Sequence, residues 1–257
     1  MNLNIRNCTF LVTGVTSGFG KATAEHLMAG GAKIIGVART QSNLNRMTKL
    51  HKEKMIPFCG DITEIDNVVK VAKIAMESDI SGAFINAGGP PAMQFEETEL
   101  DDWDNAYHQL LRWKVALTRA LLPHFKTKQY GRIVYLESAS IKQPIDNLVL
   151  STALRLSVVG MMKTVSQELS GQGITFNMIA PGSHDTPAID RLIQKQADLQ
   201  KISFQESKAI FLDKQPSKNM GKPEGAGSLA AWLLSPLSEF VNGQVYAIEG
   251  GTIKGTL

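Results

Sequence analysis

The residues in this chain whose types and spacing first suggest chemistry are three glycines, Gly14, Gly18 and Gly20. They stand in the stretch Val12-Thr13-Gly14-Val15-Thr16-Ser17-Gly18-Phe19-Gly20. A turn of this kind, between a buried strand and a helix, lets backbone N–H groups close on an anion. The helix N-terminus adds its own partial positive charge. Gly14 allows the tight turn, Gly18 the close approach of backbone to a pyrophosphate, and Gly20 the packing of helix on strand. The spacing is TGxxxGxG rather than the commoner GxGxxG. Ordinary βα turns also hold glycines, but the position at the first strand–helix junction favours a nucleotide loop. A second candidate is Arg39. An acid at the end of the second strand would bond ribose hydroxyls, whereas an arginine accommodates a 2′-phosphate. Arg39 therefore favours NADP(H) over NAD(H); the alternative is a solvated loop arginine.

The elements that must position these residues follow from the apolar pattern. Cys8 to Val12 reads as the first strand, and Ala22, Leu27 and Met28 mark a helix that closes at Gly30-Gly31. Further strands are expected at Lys33–Ala38, Met55–Cys59, Ile80–Ile85, Arg132–Leu136, Ile174–Ala180 and Gln244–Ile248. Between them come a helix from Glu64 to Met76, with Ile65, Val68, Val69, Ala72 and Met76 as its apolar face, and a long helix from Asp101 to about Lys126. Others run from near Leu150 to Leu169 and from Gly221 through Leu234. This rhythm argues an α/β chain with a parallel sheet covered on both faces. The stretch from about Pro187 to Met220 is charged, weakly helical and expected to be a mobile flap beside a site.

At 257 residues, 43% hydrophobic and 20% charged, the chain suits one globular domain spanning residues 1–257. A net charge of +3 without a Lys/Arg block gives little support to nucleic-acid or membrane binding. No apolar run is long enough for a bilayer and no signal-peptide core is visible, so a cytoplasmic protein is expected. Cys8 and Cys59 lie in apolar runs without a C-x-x-C pair and read as buried, reduced thiols. No His/Cys/Asp/Glu cluster has metal-ligand spacing, and no metal is expected.

The chain resembles the short-chain dehydrogenase/reductase family along nearly its whole length. The motifs are Thr13-Gly14 with Gly18-Phe19-Gly20, Asp61-Ile62, Asn86-Ala87-Gly88, Asp102-Trp103-Asp104, Gly131-Arg132-Ile133-Val134, Asn177-Met178-Ile179-Ala180-Pro181-Gly182 and Gly243-Gln244 with Glu249-Gly250-Gly251. It is most similar to 3-oxoacyl-acyl-carrier-protein reductase-like members. The resemblance implies a Rossmann-type domain with a seven-stranded parallel sheet and NAD(P)(H) across the strands' carboxyl ends. It implies that Thr16, Ser17, Phe19 and the three glycines form the loop that binds the cofactor's phosphates, and that Asp61 and Ile62 flank adenine. Asn86, Ala87 and Gly88 would line the ribose side; Pro181, Gly182 and Thr186 would meet the nicotinamide. It also implies a homodimer or homotetramer through the helices from Asp101 and Leu150, whose Met161, Met162 and Val165 exceed the need of one inward face.

The family's chemistry uses a serine, a Tyr-x-x-x-Lys pair and an asparagine. Ser138 fits the serine. Ser151-Thr152-Ala153-Leu154-Arg155 stands where Tyr-x-x-x-Lys should, and Leu110 where the asparagine should. A serine hydroxyl is a far poorer acid than a phenol, and an arginine binds and polarises but does not shuttle protons. Ser151 and Arg155, one turn apart, can share a helix face. Lys142, Tyr107, His108, His184 and Asp185 are secondary candidates for a proton donor, and Tyr135 reads as core. The leading expectation is an NADP(H)-dependent oxidoreductase acting on a carbonyl/hydroxyl pair of a small molecule through Ser138, Ser151 and Arg155, with Arg155 also taking over the lysine's contact with the cofactor's nicotinamide ribose. The alternative is a dinucleotide-binding, non-catalytic sensor or partner subunit. A lyase like the family's halohydrin dehalogenases fits less well, because those keep the tyrosine and lose the glycine-rich loop.

Overall fold

The computed structural model describes residues 2–256. Among them one seven-stranded, all-parallel sheet carries the order β3-β2-β1-β4-β5-β6-β7. The strands are β1 (Thr9–Thr13), β2 (Lys33–Ala38), β3 (Met55–Cys59), β4 (Gly82–Ile85), β5 (Gly131–Leu136), β6 (Ile174–Pro181) and β7 (Val245–Ile248). Every residue of β1, β4, β5 and β6 is buried. This is why those runs are apolar without alternation: helices cover both faces of the sheet. One face packs on α3 (Ile65–Glu77), α5 (Trp113–Lys128) and α6 (Val149–Glu168). The other packs on α1 (Gly18–Ala29), α2 (Gln41–Leu50) and α9 (Pro223–Leu233). The order reverses between β1 and β4, and that switch point opens a crevice at the strands' carboxyl ends. No described helix is long and apolar enough to cross a membrane.

Several expectations change. The long helix is α4 (Leu100–Tyr107), a π-helical turn at His108–Arg112, then α5. A π turn holds more residues than an α turn, and after it both Trp113 and Lys114 face the core. On α3 the buried face is Val68, Val71, Ala72 and Ala75, while Val69 and Met76 are exposed. The sheet demands a narrower stripe there than the apolar residues offer. Cys59 is exposed and Cys8 half-buried, since β3 is an edge strand. The stretch after β6 is more helical than its charged sequence suggests. It forms α7 (Pro187–Gln200) and α8 (Phe204–Asp213), with Ser203 and Glu206 closing a capping box and Ser207 Oγ donating to the Ile193 carbonyl at 2.9 Å. Met162 is consumed by the chain's own core, and Met161 and Val165 pack partly against it, so they are not a spare outer face.

Candidate active site

Every expected site residue reaches the same carboxyl edge of the sheet. The glycine turn joins β1 to α1, Arg39 follows β2, Asp61 and Ile62 follow β3, and Asn86-Ala87-Gly88 follow β4. Ser138 follows β5, Ser151 and Arg155 lie on α6, Pro181 ends β6, and Gly182 and Thr186 lead into α7.

At the turn, Gly14 has φ +67°, and a Cβ there would lie 2.7 Å from the Asn86 side-chain nitrogen. A Cβ on Gly20 would fall on the Gly14 carbonyl, so the helix sits as close to the strand as glycine allows. The Thr13 hydroxyl donates to the Asn86 carbonyl at 2.6 Å and accepts the Asn86 amide at 2.7 Å, locking the β1 and β4 ends together. Ser17, the N-cap of α1, makes no side-chain cap bond, and the first turn carries no acid. The amides of that turn therefore stay open to an anion. Thr16 is half-buried, Ser17 exposed and Phe19 half-buried around this cradle. These residues fit a dinucleotide pyrophosphate. At the far end Arg39, 78% exposed, reaches Asp61 at 3.8 Å. Asp61 is held by Thr63, whose amide and hydroxyl donate to its Oδ1 at 3.0 and 2.8 Å. Ile62 packs into the core beneath, and Asp61 beside it is the more accessible of the two.

The other end of the crevice is built from side chains. Ser138 N-caps a short 3₁₀ turn, its Oγ accepting the Ser140 amide at 3.2 Å, and stays half-buried. Arg155 Nε donates to Ser151 Oγ at 3.0 Å, and Arg155 Nη1 donates to Glu137 Oε2 at 2.7 Å. Lys114 Nζ donates to the other oxygen, Glu137 Oε1. Lys114 and the Glu137 side chain are fully buried and Arg155 nearly so. A Cβ on Gly89 would lie 2.9 Å from Arg155 Nη2, so the loop after β4 runs directly past the guanidinium. Ser151 and Arg155 therefore meet as expected from their spacing. Lys114 and Glu137 were not anticipated, although the signal exists: Lys114 stands in the same helical phase as Leu110, Leu117 and Leu121. Leu110 is buried and offers no polar group.

Burial holds the Lys114 ammonium below its ordinary pKa; Glu137 opposes that shift and Arg155 adds to it. Burial likewise raises the Tyr135 phenol, which is bonded to Thr118 Oγ1 at 2.7 Å and belongs to the core. Among the secondary candidates, Lys142, Asp185, Tyr107 and His108 are exposed. His184 is buried, with Nδ1 3.1 Å from the Gly182 carbonyl and its ring edge-on to Phe19 at 5.0 Å. Burial lowers its pKa. It braces the glycine turn against the loop after β6.

Residues 14–252 match a family model described as enoyl-(acyl carrier protein) reductase. The 3-oxoacyl-acyl-carrier-protein reductase FabG of Thermotoga maritima is 27% identical, over 95% of this chain and 96% of its own. The D-beta-hydroxybutyrate dehydrogenase of Cupriavidus necator is 29% identical, over 95% and 97%. L-sorbose reductase from Gluconobacter frateurii, solved with NADPH and L-sorbose, superposes with a TM-score of 0.93 at 23% identity, covering 99% of this chain and all of that one. With a switch-point crevice, a glycine cradle at one end and a serine–arginine cluster at the other, this chain belongs to the short-chain dehydrogenase/reductase family.

Proposed function

We propose that the chain is an NADP(H)-dependent oxidoreductase that interconverts a small carbonyl compound and its alcohol through Ser138, Ser151 and Arg155. The observation that carries this reading is the bond from Arg155 Nε to Ser151 Oγ. Because Ser151 accepts from a cation, its own O–H is left to donate, and it does so as a stronger donor. When bound, the dinucleotide supplies or accepts the hydride. Ser138 and Ser151 donate to the substrate oxygen, and Arg155 stabilises the negative charge that gathers there. The neutralising proton enters through the Ser151 hydroxyl from water at the open side. Thr186 and Gly182 orient the nicotinamide end, and Arg39 supports a preference for the 2′-phosphorylated cofactor; L-sorbose reductase, of the same fold, was solved with NADPH. The reductase and dehydrogenase names of the relatives favour an enzyme over a binding-only sensor. A homodimer or homotetramer in the cytoplasm is part of the same reading, and light scattering at micromolar concentration tests it.

The chemical test is NADPH oxidation with a panel of aldehydes, ketones and oxo acids, using wild type, Ser138→Ala and Ser151→Ala. Each variant is expected to lose about 10²-fold or more in kcat, as when an oxyanion donor is removed. Rates that survive both substitutions place the chemistry elsewhere. Tight NADPH binding without turnover on any substrate favours the sensor.

A further inference from the structure

Lys114, Glu137 and Arg155 come from three different elements, α5, the end of β5 and α6, and meet where almost no solvent reaches. Burying three charges is expensive, and an apolar trio of similar volume would pack as well or better. Fold stability is therefore a poor reason for the cluster. Its geometry offers a better one. The line of bonds runs outward: Lys114 to Glu137 Oε1, Glu137 Oε2 to Arg155 Nη1, Arg155 Nε to Ser151 Oγ. Arg155 Nη2 makes no hydrogen bond among the described residues and lies beside Gly89, on the loop that borders the crevice. Glu137 alone would fix the guanidinium but cancel its charge. A second cation on the other carboxylate oxygen gives two positive charges against one negative, so the trio keeps one in excess.

We infer that Lys114 and Glu137 are positioning residues for Arg155: Glu137 fixes its fork, and Lys114 leaves the cluster one net positive charge that faces the substrate oxygen as it becomes negative. The inference rests on the proposed role of Arg155 at the substrate. Lys114 is faced by Glu137 from β5 and Arg155 from α6. The strand itself carries the Tyr135 phenol and, nearer its start, Arg132, and the Trp113 ring lies 5.8 Å away on its own helix. The excess charge is present while Lys114 is protonated and is lost as pH rises through its lowered pKa. Burial brings that loss to lower pH than for an exposed lysine.

The test measures kcat, KM and the pH profile of NADPH oxidation, with the best substrate of the panel, for wild type, Arg155→Ala, Lys114→Arg and the double variant Lys114→Met/Glu137→Gln. The double variant removes the pair together and leaves Arg155 as a lone, nearly buried cation whose fork is no longer fixed by Glu137. Its kcat is expected to fall at least tenfold toward that of Arg155→Ala, with KM for NADPH little changed. Lys114→Arg is expected to keep wild-type kcat and lose the alkaline fall expected of wild type. Wild-type kcat and pH profile in the double variant, with Arg155→Ala impaired, overturn the inference and leave the role of Arg155 standing. Undiminished activity in Arg155→Ala overturns both. Should the double variant not fold, the wild-type and Lys114→Arg profiles decide, and identical alkaline limbs overturn the inference.

Discussion

The two ends of the crevice are made of different material. The end at β1 and β2 is backbone: open amides, a glycine at φ +67° and a glycine pressed against the Gly14 carbonyl. The end at β5 and α6 is side chains: two serines, an arginine, and a buried lysine–glutamate pair behind them. A backbone cradle admits few sequences, because any Cβ at its tight points collides. A side-chain cluster can be rebuilt, provided each buried charge gains a partner when another changes. On the resemblance read from the sequence, the first end would keep the family's pattern and the second would depart from it at Leu110, Ser151 and Arg155.

The sharpest way to break this contrast is at Glu137. Glu137→Leu strands two cations in the core, and a stability loss of about 3–5 kcal/mol is expected. Urea unfolding measures it; a loss below about 1 kcal/mol would mean that the cluster is looser than its bonds imply. The backbone end should fail differently. Gly20→Val has no room and is expected to shift the turn, weakening NADPH binding by about 1–3 kcal/mol of strain with global stability changing less than in Glu137→Leu. Calorimetry reads the affinity. Unchanged binding would remove Gly20 from the cradle.

Arg39→Ala probes the same end through a side chain. About tenfold weaker NADPH binding, or about 1.4 kcal/mol, is expected with NADH affinity unchanged. The Asp61 carboxylate, 3.8 Å from Arg39, limits the size of the effect. Equal losses for the two cofactors would show that Arg39 does not read the 2′-phosphate. The smallest effect is acid sensitivity at His184. Its native pKa lies below the ordinary 6.5, so the unfolded chain takes up the proton first. Stability therefore falls as pH drops from 6.5 toward the lowered value, by at most about 1.4 kcal/mol per pH unit. His184→Gln should flatten that segment of the profile; an unchanged slope would assign it to other groups.

The same contrast explains what the sequence could convey. The glycine turn, Arg39 and the strand run-ins are local, and each has a physical reason readable within a few residues. Ser151 and Arg155 are one helical turn apart, and their contact followed from that spacing. Glu137 and Lys114 are 23 residues apart in the chain, and Glu137 and Arg155 are 18 apart. Each alone resembles a surface charge, and only the packing of α5 and α6 on one face of the sheet turns them into a cluster. Lys114 shares the helical phase of Leu110, Leu117 and Leu121, all buried, but a lysine among leucines does not say which carboxylate it meets. The helices after β6 are faint in the sequence because their charge masks short apolar stripes, such as Ile193 and Ala197 on α7.

The claim that most needs testing is that hydride chemistry in this chain runs past an arginine-centred cluster. Rapid mixing of a carbonyl substrate with enzyme already saturated with NADPH measures a single turnover, free of differences in cofactor affinity. Run on wild type and Arg155→Ala, it should give a rate lower by about 10²-fold or more in the variant, with the same amount of NADPH bound before mixing. Equal rates would contradict the account.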